Sequence, residues 1–359
     1  MQVLFGPEQD ALHVDPAAPG AYEWWYFDAL SDDEKWALVV IFFLGAPMSP
    51  YYKAVANGGK SDARDWCGVF VSLHEKVEPP TVTARWRERA YAYNLYRDGE
   101  FSAERPAVAV GGSRMDAAAG ADGAWTWTLD VREPGLWRGR TEARLTFTTF
   151  GAPPDLPPLG TSAAHNWVCV APACRATGSV TLPTGRSVAF AGNGYHDHNF
   201  GCLPFADTEI WYWGRASVGT QAVVFYHREP PEGPADSLLV LPGAPILATR
   251  DVRFSLDEPQ WSPYGLRHAR RLDLRAGASC ATGTSCATGA NRVLVEMEDR
   301  GGALSEGPFY RRLPLTLRLE GPALEMRSVI GIGEVFRPAK LCGPVASRAI
   351  WSRIRRRKT

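Results

Sequence analysis

The chain has 359 residues, enough for two domains of ordinary size that each bury their own core. Lysine plus arginine and aspartate plus glutamate number 39 each, so no overall field favours nucleic acid as a partner. The sequence begins without a basic segment followed by a long apolar run, and no apolar run approaches the ~20 residues that span a bilayer. We therefore expect a cytoplasmic protein, or one peripheral to a membrane.

Cysteines and aromatic residues narrow the class further. The seven cysteines are an odd number without a Cys-x-x-Cys pair, which disfavours a disulfide framework and a structural zinc site. Aromatic residues are abundant, with 13 Trp, 12 Tyr and 15 Phe. Tryptophan at this frequency favours broad apolar cavities as well as ordinary core, which points to an apolar ligand.

Short apolar and alternating runs separated by Gly, Pro, Asn and Asp predict an all-β chain of barrel or sandwich type, mostly antiparallel and with little helix. In chain order, the predicted strands are Trp36–Leu44, Trp66–His74, Trp125–Val131, Ala143–Phe150, Ser179–Leu182, Glu209–Ala216, Gln221–His227 and Arg292–Glu298. Two Pro/Gly-rich stretches, Gly151–Gly160 and Glu229–Pro245, are predicted loops. The segment Ala276–Ala290, in which Cys-Ala-Thr-Gly occurs twice, is a predicted loop expansion.

The set of strands changes close to residue 190. We expect an N-terminal β domain over 1–190, a C-terminal β domain over 191–340 and a basic tail over 341–359. The tail carries Ile350, Trp351 and Ile354 on one helical face among its basic residues, so it fits a segment lying on an anionic membrane surface. A solvated basic end accounts for the same residues.

Aromatic residues at spacing two project from one face of a strand, and such pairs fit either ordinary core or the wall of a pocket. The candidates for substrate binding on this ground are Trp24, Tyr26, Trp211 and Trp213.

The segment Gly194–Gly201 concentrates groups that handle protons. Asp197 is a candidate general acid, because a carboxyl group in an apolar pocket stays protonated near neutral pH, whereas a protonated imidazole nearby favours ionisation. An aspartate among Gly and Asn also fits a turn. In an extended strand, Tyr195 and Asp197 share one face while His196 and His198 share the other.

Histidines supply two further candidate sites. His196 and His198 can support bound substrate or, completed by His165 or Asp207, bind a metal, although no further ligand motif points to one. His165 and Trp167 share a strand face, where an indole can stabilise a carbocation and an imidazole can orient or deprotonate water. A core tryptophan beside a hydrogen-bonded histidine is the alternative.

Serine hydrolases of the nucleophile-elbow type and nucleotide-binding enzymes are disfavoured. No Gly-x-Ser-x-Gly elbow is present, and no Gly-rich phosphate loop follows a strand and opens a helix.

Five motifs together resemble the carotenoid 1,2-hydratases (hydroxyneurosporene synthases) of purple bacteria, within a wider lipocalin-like group that includes fungal pericyclases. The motifs are Glu23-Trp-Trp-Tyr-Phe-Asp-Ala-Leu-Ser-Asp, Ser49-Pro-Tyr-Tyr, Gly194-Tyr-His-Asp-His-Asn-Phe-Gly, Trp211-Tyr-Trp-Gly-Arg and Pro308-Phe-Tyr-Arg-Arg. The resemblance implies two consecutive lipocalin-like β domains, no cofactor, and addition of water across the terminal C1,C2 double bond of acyclic carotenoids such as neurosporene and lycopene. It implies a functional His-x-Trp pair, His165 and Trp167, and a functional Tyr-x-Asp pair, Tyr195 and Asp197. For such an enzyme we expect a place at the inner or intracytoplasmic membrane.

Hydration of a trisubstituted terminal alkene requires an acid to protonate C2, which leaves a tertiary cation at C1 for water to capture. We predict Asp197 as the acid, Trp167 against the cation, Tyr195 beside the carboxyl group and His165 at the water, with the roles of Asp197 and His165 exchangeable. The alternatives are a pericyclase or isomerase acting on a polyene, a non-catalytic lipid or pigment carrier, and a metal-dependent hydrolase that uses the histidines.

Overall fold

A computed structural model describes residues 1–59, 61–78, 85–136, 138–202, 208–243, 247–276, 291–297, 302–321, 324–343, 348 and 351–357. Most of this part of the chain is β-strand in two curled, antiparallel-rich sheets, which confirms the predicted all-β class. Asp207 and the repeat at Cys280 and Cys286 lie outside the described residues. Among the residues that are described, no helix has the length and apolar character needed to cross a membrane.

The strands are β1 (Val3–Phe5), β2 (Ala21–Ser31), β3 (Trp36–Leu44), β4 (Cys67–Val77), β5 (Arg85–Tyr96), β6 (Glu100–Phe101), β7 (Ala107–Val110), β8 (Ser113–Ala119), β9 (Trp125–Pro134), β10 (Arg140–Thr149), β11 (His165–Thr181), β12 (Ser187–Cys202), β13 (Ile210–Val218), β14 (Gln221–Glu229), β15 (Asp236–Leu241), β16 (Leu247–Thr249), β17 (Val252–Trp261), β18 (Arg267–Ala276), β19 (Asn291–Glu296), β20 (Ser305–Glu306), β21 (Tyr310–Gly321), β22 (Leu324–Phe336) and β23 (Arg355–Arg356). The α-helix α1 spans Pro50–Ala56, and 3-10 turns span Pro7–Gln9, Ala63–Trp66 and Pro338–Cys342. Ser49 caps α1 by accepting a hydrogen bond from the Tyr51 amide, and Pro50 takes the first helical position.

The chain divides into two compact units. Unit 1 comprises Met1–Val82, Trp86–Ala206 and Leu341–Thr359, and unit 2 comprises Thr83–Arg85 and Asp207–Lys340. Strand β12 therefore lies within unit 1, and the basic C-terminal segment groups with the same unit.

Unit 1 contains a sheet in the order β23-β5-β4-β3-β2-β12-β11-β10-β9-β8-β7-β6, with β1 paired to β11. The two ends of the chain form parallel pairs, β1 on β11 and β23 on β5. Its core gathers one face of the central strands, including Trp25 and Phe27 of β2 with Trp127 and Phe147 of β9 and β10. Unit 2 contains a sheet in the order β16-β15-β14-β13-β22-β21-β19-β18-β17, with a separate core that includes Tyr212 and Phe225.

Two sequence predictions differ from the structure. The prediction of a loop over Glu229–Pro245 was wrong over Asp236–Leu241, because these residues form β15, which pairs with β14 and β16. The four apolar residues that end β15 are buried, and burial outweighs the Gly/Pro-rich flanks. The strand predicted only over Ser179–Leu182 is the end of the much longer β11.

The described residues of the basic tail are held by unit 1. Arg353 forms an ion pair with Glu88 at 2.6 Å and lies 3.8 Å over the Tyr91 ring. Arg357 donates to the Asn94 side-chain oxygen at 2.9 Å, and its amide donates to a carbonyl of β5. These contacts make the segment an edge strand of the sheet and not a frayed end.

Candidate active site

Strand β12 separates its side chains between two environments. Tyr195, Asp197 and Asn199 lie on one face, which we call the reacting face, while His196 and His198 lie on the other, against the core of unit 1. The period-two alternation of an extended strand produces this division.

The Asp197 carboxyl group is held from both sides on the reacting face. The Tyr195 hydroxyl donates to Oδ2 at 2.8 Å and the Asn199 amide donates to Oδ1 at 2.9 Å. All three residues are buried. Each carboxyl oxygen accepts a hydrogen bond from a neutral donor. These two hydrogen bonds stabilise the negative charge that remains when Asp197 gives up a proton.

Cys169 lies beside this pair. Its buried thiol is in hydrogen-bond contact with Tyr195, and burial, together with the charge of Asp197, raises the thiol pKa well above its ordinary value. A thiol of this kind stays protonated, so Cys169 is a neutral packing neighbour and not a nucleophile.

Strand β11 adds the second predicted pair to the reacting face. Trp167 is the register partner of Asn199, and His165 is the partner of Gly201. Register shifts between Val168 and Cys174 bend β11 just where it passes Asp197. Gly201 is four residues beyond Asp197 along β12, so the backbone of His165 lies about 13 Å further along the face than the carboxyl group.

Strand β2 completes the reacting face with a polar and aromatic series at spacing two. Its members are Tyr22, Trp24, Tyr26 and Asp28. The Tyr22 hydroxyl lies 2.6 Å from Nδ1 of His165, and the Trp24 ring stacks 5.8 Å from the same imidazole. Tyr26 donates to Oδ2 of Asp28 at 2.8 Å.

Glycines in β12 allow the three strands to approach closely. A Cβ atom at Gly201 would lie 1.9 Å from the Ala164 carbonyl oxygen, and one at Gly192 would lie 2.0 Å from the Leu30 carbonyl oxygen. The Gly- and Asn-rich composition that also fitted a turn thus serves close strand packing around Asp197.

The core face of β12 carries a buried chain of charges, which we call the histidine–carboxylate chain and define as Asp10, Glu23, His196 and His198. Asp10 Oδ2 lies 2.9 Å from His196 Nε2 and accepts from the Trp127 indole at 2.8 Å. His198 lies 3.2 Å from Asp10 and 2.6 Å from Glu23, at ion-pair distances whose angles fall outside hydrogen-bond geometry. All four side chains are fully buried.

The electrostatics of this chain favour its charged form. Burial alone would lower the pKa of His198, but Glu23 and Asp10 raise it to about 9. Burial would raise the pKa of Asp10, but His196 and His198 lower it to about 2. His198 is therefore an imidazolium at neutral pH, enclosed between carboxylates.

The three histidines considered for a metal do not converge. His196 and His198 face the core of unit 1, whereas His165 lies on the reacting face. In the part of the chain that the structure describes, no group of three or more His, Cys, Asp or Glu side chains has the arrangement to hold a metal ion.

Trp211 and Trp213 lie on β13 of unit 2. Both are buried on the face opposite Tyr212, which packs in the core of that unit. The Trp211 ring contacts Phe336 edge to face at 4.6 Å.

The sequence therefore predicted six residues that share the reacting face of unit 1: His165, Trp167, Tyr195, Asp197, Trp24 and Tyr26. It missed Asn199, Tyr22 and Cys169. Extending the period-two pattern by one step from Asp197 and from Trp24 identifies the first two. Asp10 carries no such signal, because it is 186 residues from its partner His196.

A family model of carotenoid hydratases, CrtC, matches residues 40–240. The match covers more than half of the chain and includes both β11 and β12. The chain belongs to this family. It is accordingly an enzyme of the hydratase, or hydro-lyase, class.

Curated relatives share the same region. The chain is 29% identical over 235 residues to a protein of Thiocapsa roseopersicina and 30% identical over 235 residues to one of Rubrivivax gelatinosus, both named acyclic carotenoid 1,2-hydratase. Each match covers 61% of this chain and about half of the relative, 50% and 51% respectively. A protein of Chlorobaculum tepidum named hydroxyneurosporene dehydrogenase is 26% identical over 353 residues, covering 90% of this chain and 84% of that protein.

Solved structures confirm the lipocalin-like two-domain fold. An AttH candidate from Nitrosomonas europaea superposes with a TM-score of 0.52 at 12% identity, covering 90% of this chain and 99% of its own. CghA with Sch210972 superposes with a TM-score of 0.53 at 15% identity, covering 92% and 94%. At these identities the likeness concerns the fold alone.

Proposed function

We propose that this chain is an acyclic carotenoid 1,2-hydratase, which adds water across a terminal C1,C2 double bond of carotenoids such as neurosporene or lycopene to give 1-hydroxy carotenoids. One observation carries the proposal: in a member of the carotenoid hydratase family, Asp197 is a buried carboxyl group held by Tyr195 and Asn199, and Asn199 is the register partner of Trp167. The names of two relatives support the same substrate class.

Asp197 is the proposed proton donor to C2. An alkene is a weak base, so proton transfer to it needs a strongly stabilised conjugate base. The hydrogen bonds from Tyr195 and Asn199 strengthen as charge develops on the carboxylate, and they thereby lower the barrier.

Trp167 is the proposed stabiliser of the cation at C1. It is the register partner of Asn199 and hence diagonal to Asp197, at roughly 7–8 Å between backbones. An indole face stabilises a desolvated cation by about 2 kcal/mol. His165, hydrogen-bonded to Tyr22 beside Trp24, then binds water or a polar end of the ligand further along the same face.

The substrate partner in this proposal is an acyclic carotenoid together with water. Because such pigments dissolve in bilayers, we propose that the enzyme meets its substrate at a membrane surface.

The test is incubation of the purified full chain with lycopene or neurosporene in liposomes made up in ¹⁸O-labelled water. Hydration predicts the label in a new terminal hydroxyl group. Asp197→Asn should lower turnover by about 100-fold or more while pigment binding is retained, because only the acid is lost. Asp116→Asn, which removes an exposed carboxylate on β8, is the matched control and should keep wild-type turnover.

Other results would contradict the proposal and favour its alternatives. An unlabelled isomer of the substrate would indicate a pericyclase or isomerase. Binding of pigment without any product, unchanged in Asp197→Asn, would indicate a carrier.

A further inference from the structure

Two tyrosine–aspartate pairs lie side by side on the reacting face. On β12, Tyr195 donates to Asp197 at 2.8 Å, and on β2, Tyr26 donates to Asp28 at 2.8 Å. Both pairs have the same spacing, with the tyrosine first. Because β2 and β12 are antiparallel, the pairs cross, so that Asp197 stands opposite Tyr26 and Tyr195 stands opposite Asp28.

The two pairs present different members to the accessible space. Asp197 and Tyr26 are each 5% exposed, whereas Tyr195 and Asp28 are completely enclosed. The more exposed member is therefore the aspartate in one pair and the tyrosine in the other. Side chains directly opposite on antiparallel strands have Cβ atoms about 4.5–5.5 Å apart, so these two groups flank one small site.

Hydration needs a second proton-handling group close to the acid. Once Asp197 has protonated C2, the water that attacks C1 must lose a proton. The backbone of His165 lies about 13 Å further along the face and its Nδ1 is hydrogen-bonded to Tyr22, whereas Tyr26 stands directly opposite Asp197.

We propose that Tyr26 is the second catalytic residue and that Asp28 is the positioning residue that receives the proton through it. This inference rests on the proposed hydratase function. The Asp197 O–H bond breaks as the C2–H bond forms, and the water oxygen then bonds to C1. One water O–H bond breaks toward the Tyr26 oxygen, while the Tyr26 proton passes to Oδ2 of Asp28. Asp28 ends as the acid and Asp197 as the carboxylate.

The crossed arrangement returns the enzyme to its starting state. Tyr26 stands opposite Asp197 and is bonded to Asp28, so a proton can pass back from Asp28 through the phenol to Asp197 between turnovers. No metal, oxidant or other co-reactant is consumed, because the net change is addition of one water to one alkene.

The experiment compares wild type, Tyr26→Phe, Asp28→Asn and Asp197→Asn with lycopene liposomes in D₂O, measuring hydroxylated product and deuterium in the recovered, unhydrated substrate. The inference predicts that Tyr26→Phe and Asp28→Asn lower hydration by about 100-fold or more. Both should still place deuterium in recovered lycopene, because Asp197 forms the cation and the cation then loses a proton. Asp197→Asn should lose both signals.

Controls separate this role from a structural one. Tyr51→Phe removes a buried tyrosine hydroxyl that donates to the Ala21 carbonyl at 2.7 Å, and it should keep wild-type hydration. If Asp28→Asn fails to fold, as judged by circular dichroism, the hydration and deuterium measurements on Tyr26→Phe alone test the inference. Wild-type hydration by Tyr26→Phe, or loss of product without deuterium in the substrate, overturns the inference. A wild-type enzyme that makes no hydroxylated product overturns the proposed function instead.

Discussion

At the scale of single residues, the reacting face is defined by what each side chain does to charge. Asp197, with neutral donors on both oxygens, is suited to giving up a proton and holding the negative charge that remains. Trp167 is suited to the opposite charge, because an indole face attracts a cation without becoming its covalent partner. The two roles can be separated by substitution.

Replacing Trp167 should slow the formation of the cation and leave pigment binding largely intact. We expect Trp167→Leu to lower kcat by about 30-fold, which corresponds to about 2 kcal/mol of lost cation–π stabilisation, and Trp167→Phe to have a smaller effect. The measurement is steady-state turnover of lycopene together with quenching of tryptophan fluorescence by bound pigment. Trp66→Phe, at a site that contacts Arg356, should retain wild-type kcat. A rise in KM at constant kcat in Trp167→Leu would assign Trp167 to binding alone.

Individual site residues could be predicted from the sequence where they alternate along a strand. The pairs Tyr195/Asp197 and His165/Trp167 are visible as spacing-two motifs, and the structure sets them on one face. Asp10 was not predictable, because its position depends on a 3-10 turn far upstream that brings it to β12. Which enclosed carboxylate meets which imidazole is a property of the folded sheet.

At the scale of elements, β12 carries neutral hydrogen-bond donors on one face and charged groups on the other. Its reacting face holds neutral donors, while its core face holds the histidine–carboxylate chain. Burying a charge costs free energy unless an opposite charge is close to it. The histidine–carboxylate chain therefore stabilises the fold only while His198 keeps its proton. The consequence is a dependence of stability on pH.

Stability should fall as the pH rises from about 6.5 to about 9. The folded state holds a proton on His198, whose pKa is about 9, while the unfolded state releases it near 6.5. The contribution is complete below 6.5 and is lost as the pH passes 9, on the order of 3 kcal/mol at most. The groups facing His198 are Asp10, Glu23, His13 and, through Asp10, His196.

Thermal unfolding of the full chain between pH 6.5 and 9.5 measures this effect. His198→Gln should flatten the pH dependence, although its absolute stability is lower. His227→Gln, in unit 2, should keep the wild-type slope, because the pKa of His227 is lowered by burial and it titrates below this range. A wild-type midpoint that is constant from pH 6.5 to 9.5 would show that His198 is neutral in the folded state.

At the scale of the whole molecule, the class of the fold could be predicted because strand periodicity and turn composition recur along the chain. The strand Trp36–Leu44 was predicted with the bounds that the structure has. The full length of β11 and β12 could not be predicted, since glycines that mark turns elsewhere serve close contacts there, such as Gly192 and Gly201. The strand β15 was not predicted because the Gly- and Pro-rich residues on either side of it are typical of a loop.

The basic C-terminal segment should be required for the stability of unit 1. A chain that ends at Ser352 loses the ion pair of Arg353 with Glu88 and the contact of Arg357 with Asn94. It also loses the guanidinium of Arg357. Burial raises the pKa of Glu133, and the positive charge of Arg357 partly offsets that effect. We expect a lower unfolding midpoint, by about 2–4 °C for each kcal/mol of stability lost in a domain of this size. The control Arg114→Ala removes one exposed ion pair on β8 and should leave the midpoint nearly unchanged.

The parallel pairing of β1 with β11 has a practical consequence for how the protein is handled. Val3 is the register partner of Trp167, and the Trp167 amide donates to the Gln2 carbonyl at 3.1 Å. Any sequence attached ahead of Met1, such as an affinity tag, would therefore emerge within a few residues of the proposed cation stabiliser. The turn at Gly219 between β13 and β14, with open space around it, is the better insertion point for kinetic work.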